Sequence, residues 1–178
     1  RTTVTGNNSL GVGLGDVSGN VRLAGEIIAR GANTQGAVLA GDIGGALRVQ
    51  STMTVSGYRT VPAPADVSRL DADDLLQGGS ALVIEGNVAR GIIFEIPPAD
   101  LLATDADEDK DGIEDAKEGT TRILVYGSAP AVQIGSATDD IAIGATQGTA
   151  NGFGIGRELF EPFRRNVGTA ETGAAVVV

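Results

Sequence analysis

The sequence has no Cys, no His and no Trp, and only four Phe and two Tyr among its 178 residues. Without Cys or His there is no Ser-His-Asp triad, no thiol nucleophile, no disulfide frame, and no zinc-finger or haem ligand set. A metal site must then be built from oxygen donors, which selects hard ions such as Ca²⁺. Positive charge is also scarce: 13 Lys and Arg stand against 23 Asp and Glu, a formal net charge of −10. That balance, with so few stacking rings, argues against nucleic-acid binding. No apolar run approaches the ~18 residues of a membrane-spanning helix. Absence of Cys fits an exported bacterial protein. The chain starts Arg-Thr-Thr-Val-Thr and finishes Ala-Ala-Val-Val-Val. These ends predict an excised or processed piece of a longer protein.

What is abundant is Gly, at 27 residues, within a chain that is 42% hydrophobic. There is no Gly-X-Y period, which excludes collagen, and the apolar share is too high for disorder. Small and β-branched side chains dominate, so the core must be assembled from many short strands. The length fits one domain, residues 1–178.

A repeat organises these strands. Three segments, 11–23, 37–49 and 131–143, align without gaps over thirteen positions. A fourth, Ala81 to Phe94, fits if Glu85 is an extra residue. A degenerate fifth starts near Gly152 and a sixth near Ala174. Each copy runs a short apolar strand into Gly (Gly15, Gly41, Gly86, Gly135, Gly156). In the first four copies a small polar residue follows (Asp16, Asp42, Asn87, Ser136). Gly suits a sharp corner, and the polar neighbour can bond turn backbone. A second strand then alternates, as in Val21-Arg22-Leu23 and Leu47-Arg48-Val49, with the middle residue facing away from the outer pair. The short repeat spacings match one coil of a right-handed parallel β-helix. The expected fold is therefore an all-β solenoid of about five to six coils with loop insertions at about 50–79 and 95–128. A β-sandwich or barrel with incidental Gly-Asp turns is the competing architecture.

The first insertion opens with Met53, Val55 and Tyr58 in alternation, read as a protruding hairpin strand. A Pro-punctuated loop over 61–66 follows, then one or two helical turns over 70–77 ending at Gly78-Gly79. Asp71, Asp73 and Asp74 there are either a cation site or a solvated polar face.

The second insertion carries the sharpest chemistry. Asp107, Asp109 and Asp111 occupy positions 1, 3 and 5 of a loop; Gly112 stands at 6, with Asp115 and Glu118 at 9 and 12. This is EF-hand-type spacing: a hard cation needs alternating oxygen donors folded inward on a tight turn. Pro97-Pro98 argue against an entering helix. The segment instead resembles the calcium motif of thrombospondin type 3 repeats, which lacks flanking helices. That resemblance implies side-chain ligation by Asp107, Asp109, Asp111, Asp115 and Glu118, with Ile113 giving its carbonyl. The ion would be structural Ca²⁺; the alternative is a solvated acidic loop.

Carboxylates elsewhere offer little for catalysis. Glu26, Glu85 and Glu95 lie on strands, and the adjacent Asp139 and Asp140 fall at a turn of the aligned repeat. Gly11-Val-Gly-Leu-Gly15 lacks the Lys-Ser/Thr of a phosphate loop. The 156–167 segment places Leu159, Phe160, Phe163 and Val167 at helical spacing beside Arg164 and Arg165. It reads either as a partner or membrane contact or as a loop packed on the strands.

Taken as a whole, the Gly-Asp/Asn repeats, missing Cys and Asp-rich insertion resemble a bacterial autotransporter passenger or similar surface adhesin. The resemblance implies an extracellular module at the bacterial outer-membrane surface, non-enzymatic, structural or adhesive. It also implies a host or cell-surface ligand, or assembly into oligomers or filaments through end-to-end or lateral contacts. A polysaccharide lyase or hydrolase is the alternative.

Overall fold

The structure, a computed structural model, describes residues 1–57, 66–69, 79–95, 101–108, 114–127, 129–135, 138, 140–144, 153–155 and 176–177. It is all-β. The strands are β1 (Thr2–Thr5), β2 (Leu10–Leu14), β3 (Val21–Arg30), β4 (Gln35–Leu39), β5 (Leu47–Ser56), β6 (Leu82–Ile84), β7 (Ile92–Phe94), β8 (Arg122–Tyr126), β9 (Val132–Ile134), β10 (Phe153–Ile155) and β11 (Val176–Val177). Helix among the described residues is confined to two three-residue 3-10 turns, Val67–Arg69 and Asp115–Lys117. None is long and apolar enough to cross a membrane.

Every strand pairing is parallel. One sheet runs in the order β1-β3-β5-β7-β10, with β8 also on β5; the other runs β2-β4-β6-β9-β11. Except for β7 and β8, which both lie in the first sheet, successive strands alternate between the two sheets, so each passage lies on its counterpart one circuit earlier. Between the sheets a third line of isolated parallel bridges joins Val17, Ile43, Val88 and Ile143.

This stacking turns the sequence alternation into apolar columns. Leu14, Leu39, Ile84 and Ile134 are in one register column. Val17-Ile43-Val88-Ile143 makes a second, and Leu23-Val49-Phe94 a third. Eight of these eleven close into a single buried cluster with Met53, Val55, Ile123 and Val125, and Leu14, Val17 and Ile143 pack against it partly buried. Fully burying one such side chain stabilises by roughly 1.5–3 kcal/mol. Branched side chains repeated at one height fill the interior without large rings, and Phe94 is the only aromatic among the described core residues.

Polar residues at the corners form columns as well. Asp16 Oδ1 accepts from the Asp42 backbone N–H at 2.9 Å, and Asp42 Oδ1 from that of Asn87 at 2.8 Å. Asn87 Oδ1 accepts from Ala142 N–H at 2.7 Å. The small polar residue after Gly15, Gly41 and Gly86 therefore bonds the next circuit, where a bond within its own turn was expected. A second corner has Asn20 Oδ1 accepting from Ala46 N–H at 2.9 Å. At a third, Asn8 and Asn33 both adopt left-handed backbone (φ 56° and 55°), and Asn33 Nδ2 donates to Asn8 Oδ1 at 3.3 Å. Asn is among the few residues other than Gly that tolerate this conformation.

The structure corrects several details of the repeat. Val12 pairs with Ala37, a shift of 37 − 12 = 25, whereas Val21 pairs with Leu47, a shift of 26. The added residue lies between Leu39 and Ile43. From the second circuit to the third the shift is a constant 45, Ala37 to Leu82 and Leu47 to Ile92, so Glu85 is no insertion. Ile143 stands on Val88, not in the Leu23 and Val49 column, so the 131–143 copy carries extra residues. This moves Asp140 away from the Gly19-Asn20 turn position; Asp139 lies outside the described residues. Residues 153–155 form β10 on β7, which completes the fourth circuit, and β11 on β9 begins a fifth.

Met53 and Val55 are not a protruding hairpin. They belong to β5 and are wholly buried between β3 and β8. Register therefore persists through Ser56, beyond the predicted start of the first insertion, and resumes at Arg122, before the predicted end of the second. Tyr58, the 61–65 loop, the 70–77 turns and the 156–167 segment lie outside the described residues.

Gly41 and Gly86 are required by stacking, because the preceding circuit's backbone occupies the space of a Cβ. A Cβ added at Gly86 would overlap the Gly41 carbonyl, while one at Gly15 would meet nothing within 4 Å. Gly86→Ala is expected to lower stability by about 1–3 kcal/mol. Gly15→Ala, in the equivalent place in the first circuit, is expected to leave stability nearly unchanged. Urea denaturation of the two variants checks the contrast.

Candidate functional site

The outward side chains of the first sheet form rows as regular as the core columns. Arg22 registers with Arg48, Ala24 with Gln50, and Glu26 with Thr52. Thr52 in turn registers with Arg122 of β8. β3 and β5 each span ten residues without interruption. In the third layer the same path is split into β7 and β8, which pair with the two halves of β5. The second insertion leaves the sheet at this split and returns to it.

The split is sutured by backbone and side chain together. Thr121 N–H donates to Glu95 O at 2.8 Å, and Glu95 N–H to Thr121 Oγ1 at 3.1 Å. The Thr121 hydroxyl donates to Val49 O, and Thr121 is fully buried. Glu95 and Thr121 thus bring the two ends of the insertion together over β5.

Gln50 is the centre of the outer surface here and is 1% exposed, although it points away from the core. Its Nε2 donates to Glu95 Oε2 at 2.5 Å and to Glu118 Oε1 at 3.2 Å. Its Oε1 accepts from Arg22 Nε at 2.5 Å. Arg22 also donates to the Lys117 carbonyl at 2.6 Å, and Arg48 Nε pairs with Glu95 Oε1 at 2.9 Å. The stacked guanidiniums of Arg22 and Arg48 are thereby compensated: one by an amide and a carbonyl, the other by a carboxylate. Charge-assisted bonds of this kind are the stronger class.

Beside this network, the returning segment and the outer face of β3 and β5 enclose an open groove of about 380 Å³. Ala24, Gly25 and Glu26 line it from β3 and Thr52 from β5; Glu118 and Thr120 line it from the insertion.

Half of the predicted calcium ligands fall among the described residues. Ala106 O accepts from Asp115 N–H at 2.9 Å, and Asp115 Oδ1 from Glu108 N–H at 3.3 Å. These bonds close the ends of the loop and bring its first and ninth positions, Asp107 and Asp115, to the same neck. Glu118, at the twelfth position, reaches Gln50 on the sheet. Asp109, Asp111 and Ile113 lie outside the described residues, as do Asp71, Asp73 and Asp74. Among the described residues no three carboxylates converge as a metal site. The oxygen-only donor set and the closed neck suit a hard cation; the Glu118–Gln50 bond departs from the pattern, because it draws a ligand toward the sheet.

Of the three carboxylates expected on strands only Glu26 lies within one, while Glu85 and Glu95 directly follow β6 and β7; Glu26 forms a solvent-exposed pair with Arg1 at 2.8 Å and Glu95 belongs to the Gln50 network. Sequence reading passed over Gln50 and Thr121. The signal for a polar suture was the repeated outward Arg at 22 and 48, which demands a carboxylate nearby.

Compared with family models, curated proteins and solved structures, the chain matches none.

Asp42 has its pKa held below the ordinary 3.8, first by the Asn87 backbone N–H and then by the Asn87 amide. A carboxyl depressed on folding adds stability that is present above its unfolded pKa and lost as pH falls through the folded one. Wild type should therefore lose more stability than Asp42→Asn on acidification below about pH 4, read from melting curves at stepped pH. Gln50→Leu should cost about 1–3 kcal/mol in urea unfolding, since it leaves Arg22, Glu95 and Glu118 without their shared partner.

Proposed function

We propose that the chain is a segment of a right-handed β-solenoid serving as a non-enzymatic structural or adhesive module of a bacterial surface protein, in the manner of an autotransporter passenger. The observation that carries this reading is the constant register of parallel strands, with apolar, Gly and Asp/Asn columns running from circuit to circuit. Parallel crossovers in one sheet are right-handed in about 98% of cases, which sets the hand of the winding. Such a stack specifies a rod whose circuits contact only their neighbours. Its outer strand edges favour end-to-end association with further copies, and an extracellular setting agrees with the absence of Cys.

In this reading the Asp-rich insertion holds a structural Ca²⁺ through Asp107, Asp109, Asp111, Asp115 and the Ile113 carbonyl. Glu118 joins either by using its second oxygen or by releasing Gln50. The ion supplies charge neutralisation to a loop of clustered carboxylates and stiffens a projection anchored on β5. One feature favours the alternative of a polysaccharide-active enzyme: the groove places two carboxylates, Glu26 and Glu118, beside Lys117.

Calcium at a hundredfold its dissociation constant should raise the melting temperature by about 5–10 °C for a chain of this size, reversed by EGTA. The Asp109→Asn/Asp111→Asn double variant should lose that response. An identical melting temperature with Ca²⁺ and with EGTA overturns the calcium assignment and leaves the fold reading intact.

A further inference from the structure

We propose that the groove between the outer face of β3 and β5 and the returning 117–120 segment binds a hydroxyl-rich sugar unit, neutral or amino-substituted. The proposal rests on the adhesive-module reading and names the ligand class of that module.

The groove's volume of about 380 Å³ suits one or two sugar rings. Its floor is nearly bare, because Ala24 and Gly25 are the smallest residues in the outward stretch of β3, and a flat ring can lie against them. Gly25 has left-handed backbone (φ 81°), and a Cβ placed there would meet nothing within 4 Å. The floor is therefore open space.

The polar lining is biased toward acceptors. Glu26 supplies a carboxylate, Glu118 adds negative charge to the wall with its Oε1 on Gln50 and its Oε2 buried, and Thr52 and Thr120 supply hydroxyls that accept as well as donate. The cation at the rim is Lys117, and its ammonium is already held by Glu114 at 2.7 Å. Arg22, just behind, is committed to Gln50 and the Lys117 carbonyl. A ligand is thus met by acceptors and must bring donors, which sugar hydroxyls and ammonium groups do. Carboxylated or sulfated sugars would set their charge against Glu26 and Glu118. The Glu26–Arg1 pair is solvent-exposed, so ligand donors can replace it cheaply. Lack of aromatic lining implies modest affinity per site, which a surface module compensates by multivalency.

The test titrates the full 178-residue chain with three probe sets, followed by amide chemical shifts: neutral oligosaccharides of mannose, galactose and N-acetylglucosamine; glucosamine oligomers; and galacturonate oligomers. The expected result is saturable shifts at Gly25, Glu26, Thr52 and Thr120 with a neutral or amino set, and binding of galacturonate weaker by about tenfold or more. Ala24→Phe places a ring on the floor from the solvent side and should reduce binding about tenfold with the melting curve unchanged. Should that variant misfold, Thr52→Val, which removes only a hydroxyl, should weaken binding. The proposal is overturned if neither neutral nor amino oligosaccharides shift these amides, if galacturonate binds better, or if both folded variants bind as wild type does. Chromatography of the probes after incubation separates the readings: bound and shortened oligosaccharides support the groove's ligand class while removing the non-enzymatic assignment.

Discussion

The structure depends on one constraint: at each corner, one circuit's backbone must sit directly on that of the circuit before it. Parallel strands stack at about 4.8 Å, so whatever lies at a corner is repeated at that spacing. Side chains there are excluded where they would meet the backbone of the preceding circuit, which accounts for Gly at 41 and 86. Beside that position a short acceptor is needed, because the corner N–H groups leave the sheet ladder and would otherwise lack partners. Asp16, Asp42 and Asn87 fill this role in successive circuits. The repeat grammar of Gly followed by Asp or Asn is therefore the chemical form of a spacing rule.

The same rule governs the outer face, with less tolerance for charge. In-register stacking brings Arg22 over Arg48, and like charges at strand spacing are unfavourable. Carboxylate and amide groups at the point where β7 gives way to the insertion resolve the conflict. The insertion is thus seated where the sheet stacks one Arg directly over another. A loop as acidic as 105–118 is held near the arginines by Glu118 and the Lys117 carbonyl, both routed through Gln50 or Arg22. Electrostatics also opposes sliding of this segment along the sheet, since its partners are fixed by β-register.

Legibility followed the same division. The strand-Gly-Asp-strand pattern was readable because each element of it answers to the immediate neighbour one circuit away, and those residues recur in sequence. Met53 and Val55 were misread because the repeat had been bounded at the second apolar pair, whereas β3 and β5 continue through Gly25 and Ser51 into a further inward pair. Ile143 was misplaced because ungapped similarity cannot detect extra residues looped out at a corner between two matching apolar positions. The carboxylate spacing from Asp107 to Glu118 was legible as an oxygen-donor pattern, but the pull of Gln50 on Glu118 was not. That bond depends on a side chain 68 residues away in sequence, and no local pattern encodes it.

Glu118 therefore stands at a junction. It lines the groove, its carboxylate bonds the buried amide of Gln50, and it occupies the twelfth position of the acidic loop. A carboxylate with two oxygens can serve two of these at once, one oxygen to each, but bidentate capture of a cation would take both. Ordering the acidic loop around an ion would then free Gln50 Nε2 toward Glu95 alone and shift the groove wall formed by Lys117 to Thr120. Loop and groove share that one side chain, so under the proposed calcium assignment a bound cation would bear on the groove wall without altering the stacked circuits beneath it.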